Sequence, residues 1–147
     1  MRAAIIFESY HHHNTEKIVK AIAAAFPVTL IDIREQTDYN VKDYVCIGYA
    51  SGIAYGKYYG GVVSAAEKTM EEGKKVFFIH TCGKNNRDFA AKLKDLAQQR
   101  GCTVLGTFGC IAWDSYGPFK LVGGINKKHP DEKDIQNALD FYRKLNL

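Results

Sequence analysis

Short apolar runs and amphipathic stretches alternate along this chain, joined by brief polar segments. Arg2–Phe7 reads as a strand. Asn14–Phe26 follows, with Ile18, Val19, Ala21, Ile22, Ala25 and Phe26 recurring at helical spacing along one buried face. After the Pro27 break, Val28–Ile33 reads as a second strand. Tyr44–Tyr49, YVCIGY, is an apolar run of the kind found in strands covered on both faces. Tyr58–Glu72 carries a weaker helical stripe ending before Gly73, a natural residue just past a helix end. Val76–His80 reads as a strand. Arg87–Arg100 reads as a helix with Phe89, Ala90, Leu93, Leu96 and Ala97 inward, closed by Gly101. Thr103–Phe108 is the fifth strand, and Asp131–Leu145 the last helix, with Ile135, Ala138, Leu139 and Tyr142 inward.

Strand and helix alternating with short connections predict a single α/β domain over residues 1–147, a parallel sheet with helices on both faces. Five strands suit a doubly wound sheet in the order 2-1-3-4-5. In such sheets ligands bind beyond the carboxyl ends of the strands, where the strand order reverses. The loops there are Glu8–His13, Ala50–Lys57, Thr81–Asn86 and Gly109–Pro130. The last is long for a compact domain, and long ordered loops are often functional.

Composition narrows the chemistry. The formal net charge is +4, but the lysine pairs Lys74–Lys75 and Lys127–Lys128 are scattered, so no nucleic-acid groove is expected. No apolar run is long enough for a membrane span. The N-terminus reads as a strand without a cleavage site, which points to cytoplasmic residence. Cys46, Cys82, Cys102 and Cys110 show no zinc spacing, and only Cys82 falls in a predicted site loop. Adjacent residues seldom converge on one ion, so the run His11–His13 predicts no metal. Both G-x-x-x-x-G-K-[ST] and G-x-G-x-x-G are missing. Cys82 to Arg87 is one residue short of a phosphatase loop. Glu8 lacks the neighbouring acids that a phosphorelay receiver would need.

The first strand-to-helix turn is the main lead. The first turn of a helix has N–H groups without intrahelical partners, and the macrodipole adds positive charge there. Such an end readily seats a phosphate, and Ser9, Asn14 and Thr15 add hydroxyls and an amide. The same turn is equally a plain connection with Asn14 as N-cap. In the second loop, Gly52 permits close backbone approach, while Ile53 and Tyr55 offer faces for a planar ring. Alternatively, Tyr55 packs on the next helix. In the fourth, Trp113, Asp114, Tyr116 and Phe119 either cover a ligand or contact a partner, or else close a core edge.

The segment IIFESYHHHNTEKIVKAIA resembles the flavodoxin signature: an apolar strand, an aromatic-x-Ser/Thr turn closing on Asn-Thr, and a helix. It is most similar to small flavodoxin-like proteins whose loop reads S-Y-H-H-x-N-T. IGYASGIAYGK (Ile47–Lys57) and GPFKLVGGINKKHPDEKD (Gly117–Asp134) resemble later motifs of the same group. The resemblance implies a flavodoxin-like fold holding FMN non-covalently, with Ser9, His11, Asn14 and Thr15 as the phosphate shell. His13 stands where ordinary flavodoxins carry glycine, and the loop is one residue longer. Ser51, Gly52, Ile53, Ala54 and Tyr55 would meet the ring, and backbone donors at Thr81, Cys82 and Gly83 its pyrimidine edge. The implied role is electron transfer with redox partner proteins, without nucleic acid or membrane. Two alternatives are an FMN-dependent NAD(P)H:quinone or small-acceptor reductase, and a binding module that has lost the flavin. The +4 charge departs from the acidic surface common in electron-carrying flavodoxins, so a redox partner would dock elsewhere or present acids itself.

Overall fold

The computed structural model describes residues 2–10, 12–115 and 117–147. The predicted site residue His11 and the loop residue Tyr116 lie outside them. A five-strand parallel path forms from β1 (Ala3–Glu8), β2 (Thr29–Asp32), β3 (Cys46–Ala54), β5 (Lys75–Cys82) and β6 (Thr103–Ile111), with β4 (Lys57–Tyr58) between β3 and β5 in the chain. The spatial order is β2-β1-β3-β5-β6. The predicted doubly wound sheet is therefore observed, with β4 added antiparallel to β3.

Four helices, α1 (Asn14–Ala25), α2 (Gly60–Thr69), α3 (Ala91–Gln99) and α4 (Glu132–Lys144), complete the layers. Side chains alternate across each strand, so the core divides in two. Ala4, Ile6, Ile47, Tyr49, Val76 and Phe78 pack with α2 and α3 through Val62, Ala66 and Leu93. Ala3, Ile5, Phe7, Phe77 and Ile79 pack with α1 and α4 through Ile18, Val19, Ile22, Ala138 and Tyr142. Each fully buried Ile or Phe contributes about 1.5–3 kcal/mol over its exposed state. Gly48 allows the close packing of β3: a Cβ there would fall on the Phe77 ring.

Several boundaries differ from the sequence reading, some through distant partners and some through local turns. The run read as ending at Tyr49 continues to Ala54, because β1 and β5 supply partners on both edges as far as Ser51 and Gly52. The predicted second loop is thus mostly strand, turning at Tyr55–Gly56 into β4. Tyr58 accordingly lies in a strand, and α2 begins at Gly60 and ends at Thr69, short of Gly73. The Asp88 side chain accepts the Ala90 N–H at 3.0 Å, a local turn that delays α3 to Ala91. The N-cap of α1 is His13, not Asn14.

α4 starts as its sequence predicts, with Asp131 and Asp134 forming a reciprocal capping box. His129 joins this cap through Nδ1 to Asp134 Oδ2 at 2.6 Å. Among the described residues no helix is long and apolar enough to cross a membrane.

Candidate functional site

β1 delivers the chain into α1 through a turn whose histidines adopt left-handed backbone: φ is 64° at His12 and 54° at His13. Such a conformation costs a non-glycine residue about 1–2 kcal/mol, and here it occurs twice in succession. His13 caps nothing with its side chain, which pairs instead with Glu16 at 2.9 Å. Ser9, almost fully buried, takes over that task by accepting the Glu16 N–H at 3.2 Å. The Arg34 guanidinium closes the other side of the turn. It donates to the Ser9 carbonyl, grips Asp32 at 2.6 Å and lies over the Tyr10 ring at 5.7 Å. Arg34 holds the Asp32 carboxyl below its ordinary range, while burial, its largest influence, raises that of Glu8.

At the carboxyl ends of β1, β3, β5 and β6 these turns surround a cleft. α1 contributes Asn14 and Thr15, β3 Gly52 and Ile53, and the end of β5 Thr81, Cys82 and Gly83. Ala112, Trp113 and Asp114 follow β6, and Tyr10 and Tyr59 complete the wall. Thr15 and Thr81, 66 residues apart, share a buried hydroxyl–hydroxyl bond of 2.9 Å that fastens α1 to β5. Asn14 is 8% exposed. Its Nδ2 donates to the Trp113 carbonyl at 2.7 Å, which fixes the amide's orientation. The Asn14 Oδ1 is then left buried without a hydrogen-bond partner.

Opposite, the Tyr10 and Tyr59 rings meet at 5.4 Å. Gly52 is required there, since a Cβ would stand 2.6 Å from the Tyr59 hydroxyl oxygen. Across the mouth, the His12 imidazole stacks on the Trp113 indole at 3.4 Å and 9°, its Nε2 3.0 Å from Ser115 Oγ. The first and last loops are thereby drawn together, leaving a cavity of about 20 Å³.

A hydrogen-bonded network runs from exposed Asn85 through buried His80 to buried Tyr58. Asn85 donates from Nδ2 to the Gly109 carbonyl at 3.1 Å, so its Oδ1 accepts from His80 Nε2 at 3.2 Å. The His80 Nδ1 is then the acceptor for the Tyr58 hydroxyl at 3.2 Å. The bonds thus specify a neutral imidazole protonated on Nε2, and burial lowers its pKa accordingly. The same burial pushes the Cys82 thiol up to about 12, so it is no nucleophile at neutral pH.

Of the residues singled out from sequence, Asn14, Thr15, Gly52, Ile53, Thr81, Cys82 and Gly83 line the cleft together. Ser9 and Ser51 lie behind it. The Ser51 hydroxyl donates to the Gly52 carbonyl at 2.5 Å and accepts the Tyr59 N–H at 2.8 Å. His13 faces Glu16, Ala54 ends β3, and Tyr55 stands at the hairpin tip, 90% exposed. Trp113 and Asp114, left open by the sequence, line the cleft, whereas Phe119 uses its carbonyl to receive the Gly124 N–H at 2.7 Å. Sequence reasoning missed Tyr10, His12, Tyr59 and Ala112. For Tyr59 the available signal was the Gly60–Gly61 pair marking a helix start just after it.

No family model matches the chain. It is 36% identical over 147 residues to the uncharacterized protein MJ0298 of Methanocaldococcus jannaschii, covering 99% of this chain and 98% of that one. Among solved structures, oxidised flavodoxin 1 from Bacillus cereus superposes with a TM-score of 0.71 at 18% identity, over 99% of this chain and 97% of its own. A flavodoxin, WrbA-like protein from Agrobacterium tumefaciens gives 0.67 at 15% identity, over 99% and 95%. The chain therefore belongs to one family with the M. jannaschii protein, and its β2-β1-β3-β5-β6 order together with these solved structures shows that it has the flavodoxin-like α/β fold.

Proposed function

We propose that this cleft binds FMN non-covalently and that the protein serves as an electron carrier. The observation that carries the reading is the buried Asn14 side-chain oxygen Oδ1 with no partner, in the first turn of α1. Leaving a buried acceptor unmatched costs about 1–3 kcal/mol, and a ligand presenting hydroxyl donors, as a ribityl chain does, would recover it. The Asn14 and Thr15 N–H groups, for which a helix start has no intrahelical acceptor, suit the phosphate, with the Thr15 side chain beside them. The flat walls of Tyr10, Tyr59 and Trp113 suit a planar ring.

A bound flavin supplies reversible one- and two-electron chemistry, which the protein tunes. Everything else falls to the chain. Thr15, anchored to β5 by its bond to Thr81, would stand at the phosphate end, Gly52 and Gly83 would allow backbone approach, and the aromatic wall would exclude water. A ligand of this size would need the loops around the cleft to open, since the cavity they leave is about 20 Å³.

Trp113 is the sole tryptophan, so its fluorescence reports the cleft directly. Titration of the purified protein with FMN should quench that emission and yield a yellow complex. Thr15→Val should weaken binding by about tenfold, the loss of one charge-assisted hydrogen bond. A colourless protein whose emission ignores FMN would overturn the reading and favour the ligand-free binding module. Steady NAD(P)H oxidation by the loaded protein alone would favour a self-sufficient reductase.

A further inference from the structure

We infer that the cleft's rim on the β3–β5–β6 side is a docking surface for an acidic protein partner. The inference draws its redox purpose from the function proposed above, but the surface itself rests on separate observations. Lys57 on β4, Lys84 and Arg87 after β5, and Lys127 and Lys128 after β6 are all exposed. Their loops are physically continuous. The Arg87 guanidinium lies 3.6 Å from where a side chain on Gly56 would begin, and Asn126 donates to the Gly83 carbonyl at 2.8 Å. The Trp113 indole donates to the Gly123 carbonyl at 3.2 Å, joining the last loop to the cleft wall.

Acids do not balance this charge. On these loops the described acids before the α4 cap are Asp88, neutralised by Lys94 at 2.7 Å, and Asp114, packed against Gly83. By contrast, Glu16 and Asp32, on the β1–β2 side, are each paired with a cation of their own. Within the basic rim stand three exposed apolar side chains: Tyr55 and Leu121 at 90% and Val122 at 71%. Cations and exposed apolar side chains carried on the same connected loops have the make-up of a transient protein interface, where charge steers and orients the encounter and apolar contact retains it. Weak electron-transfer encounters use small patches, below about 1,200 Å² in total. The sign of the rim selects the partner's chemistry: carboxylates around an exposed redox centre.

The test is an amide-shift titration of the isotope-labelled, FMN-treated full chain with a zinc-substituted acidic rubredoxin, and in parallel with a basic cytochrome c. The rubredoxin should shift amides in the Tyr55–Tyr58 hairpin, the Gly83–Phe89 loop and the Leu121–Lys128 segment, while the cytochrome should leave them in place. Binding should weaken by about tenfold when salt rises from about 20 to 300 mM, as a charge-steered contact requires. Lys57→Glu combined with Lys128→Glu should lower low-salt affinity by about tenfold and flatten the salt dependence. Thermal midpoint and FMN uptake, read on the same samples, show that the variant is folded. Shifts confined to the α1–β2 edge, salt-insensitive binding or preference for the cytochrome would each overturn the inference. Absence of FMN absorbance in the same tube would instead overturn the redox reading and leave the shift map to judge the surface.

Discussion

Asn14 provides a prediction in which stability and binding move in opposite directions. In the ligand-free protein its Oδ1 is buried without a partner, at a cost of about 1–3 kcal/mol. Its Nδ2 bond to the Trp113 carbonyl returns about 0.5–1.5 kcal/mol. Asn14→Ala removes both terms. The ligand-free variant should therefore lie between about 0.5 kcal/mol less and about 2.5 kcal/mol more stable, a rise of up to roughly 5–10 °C in midpoint for a chain of this size. FMN affinity should fall by about three- to tenfold, since the ligand loses an acceptor.

Urea denaturation without ligand and Trp113 quenching with FMN measure the two halves. Thr107→Val is the matched control. Its Oγ1 is likewise buried without a partner, but β6 holds it away from the cleft lining. It should gain stability by the same relief and leave FMN affinity unchanged. An Asn14→Ala protein destabilised by more than about 1 kcal/mol, with affinity intact, would refute the reasoning, because the amide would then be structural.

Three further outcomes test the supporting structure. Gly48→Ala should cost about 1–3 kcal/mol by forcing the Phe77 ring out of its packing, whereas Gly60→Ala, with open space at the start of α2, should gain up to about 1 kcal/mol in the same urea assay. Burial holds the folded His80 pKa below the ordinary 6.5, although Asn85 and Asp88 favour the charged form. The unfolded chain therefore binds this proton first as pH falls. Stability from neutral His80 is complete above about pH 6.5 and is lost below it, so His80→Gln should flatten the denaturation midpoint between about pH 7 and 5. Finally, burial pushes the Cys46 and Cys82 thiols up to about 12 and raises that of Cys110. A thiol reagent on the native protein should therefore label half-buried Cys102 first, as peptide mapping would show.

Much of this architecture is local and therefore readable from sequence. The spacing of Ile18, Val19 and Ile22 predicts α1, the run around Ile47 predicts a central strand, and the stripe of Ile135, Ala138, Leu139 and Tyr142 predicts α4. The placement of Asn14 and Thr15 at the sheet's carboxyl edge follows from strand–helix alternation alone. Tertiary structure decided what depends on distant partners. β3 extends through Ser51 because β1 and β5 meet it there, and Tyr59 joins the cleft because the β3–β4 hairpin turns it back. His12 meets Trp113, Asn14 meets the Trp113 carbonyl and Thr15 meets Thr81, pairs separated by 66 to 103 residues when the adjoining Ser115 contact is included. Periodicity records which face of an element is buried. The groups brought against the ends of that element are chosen by the packing of the whole sheet.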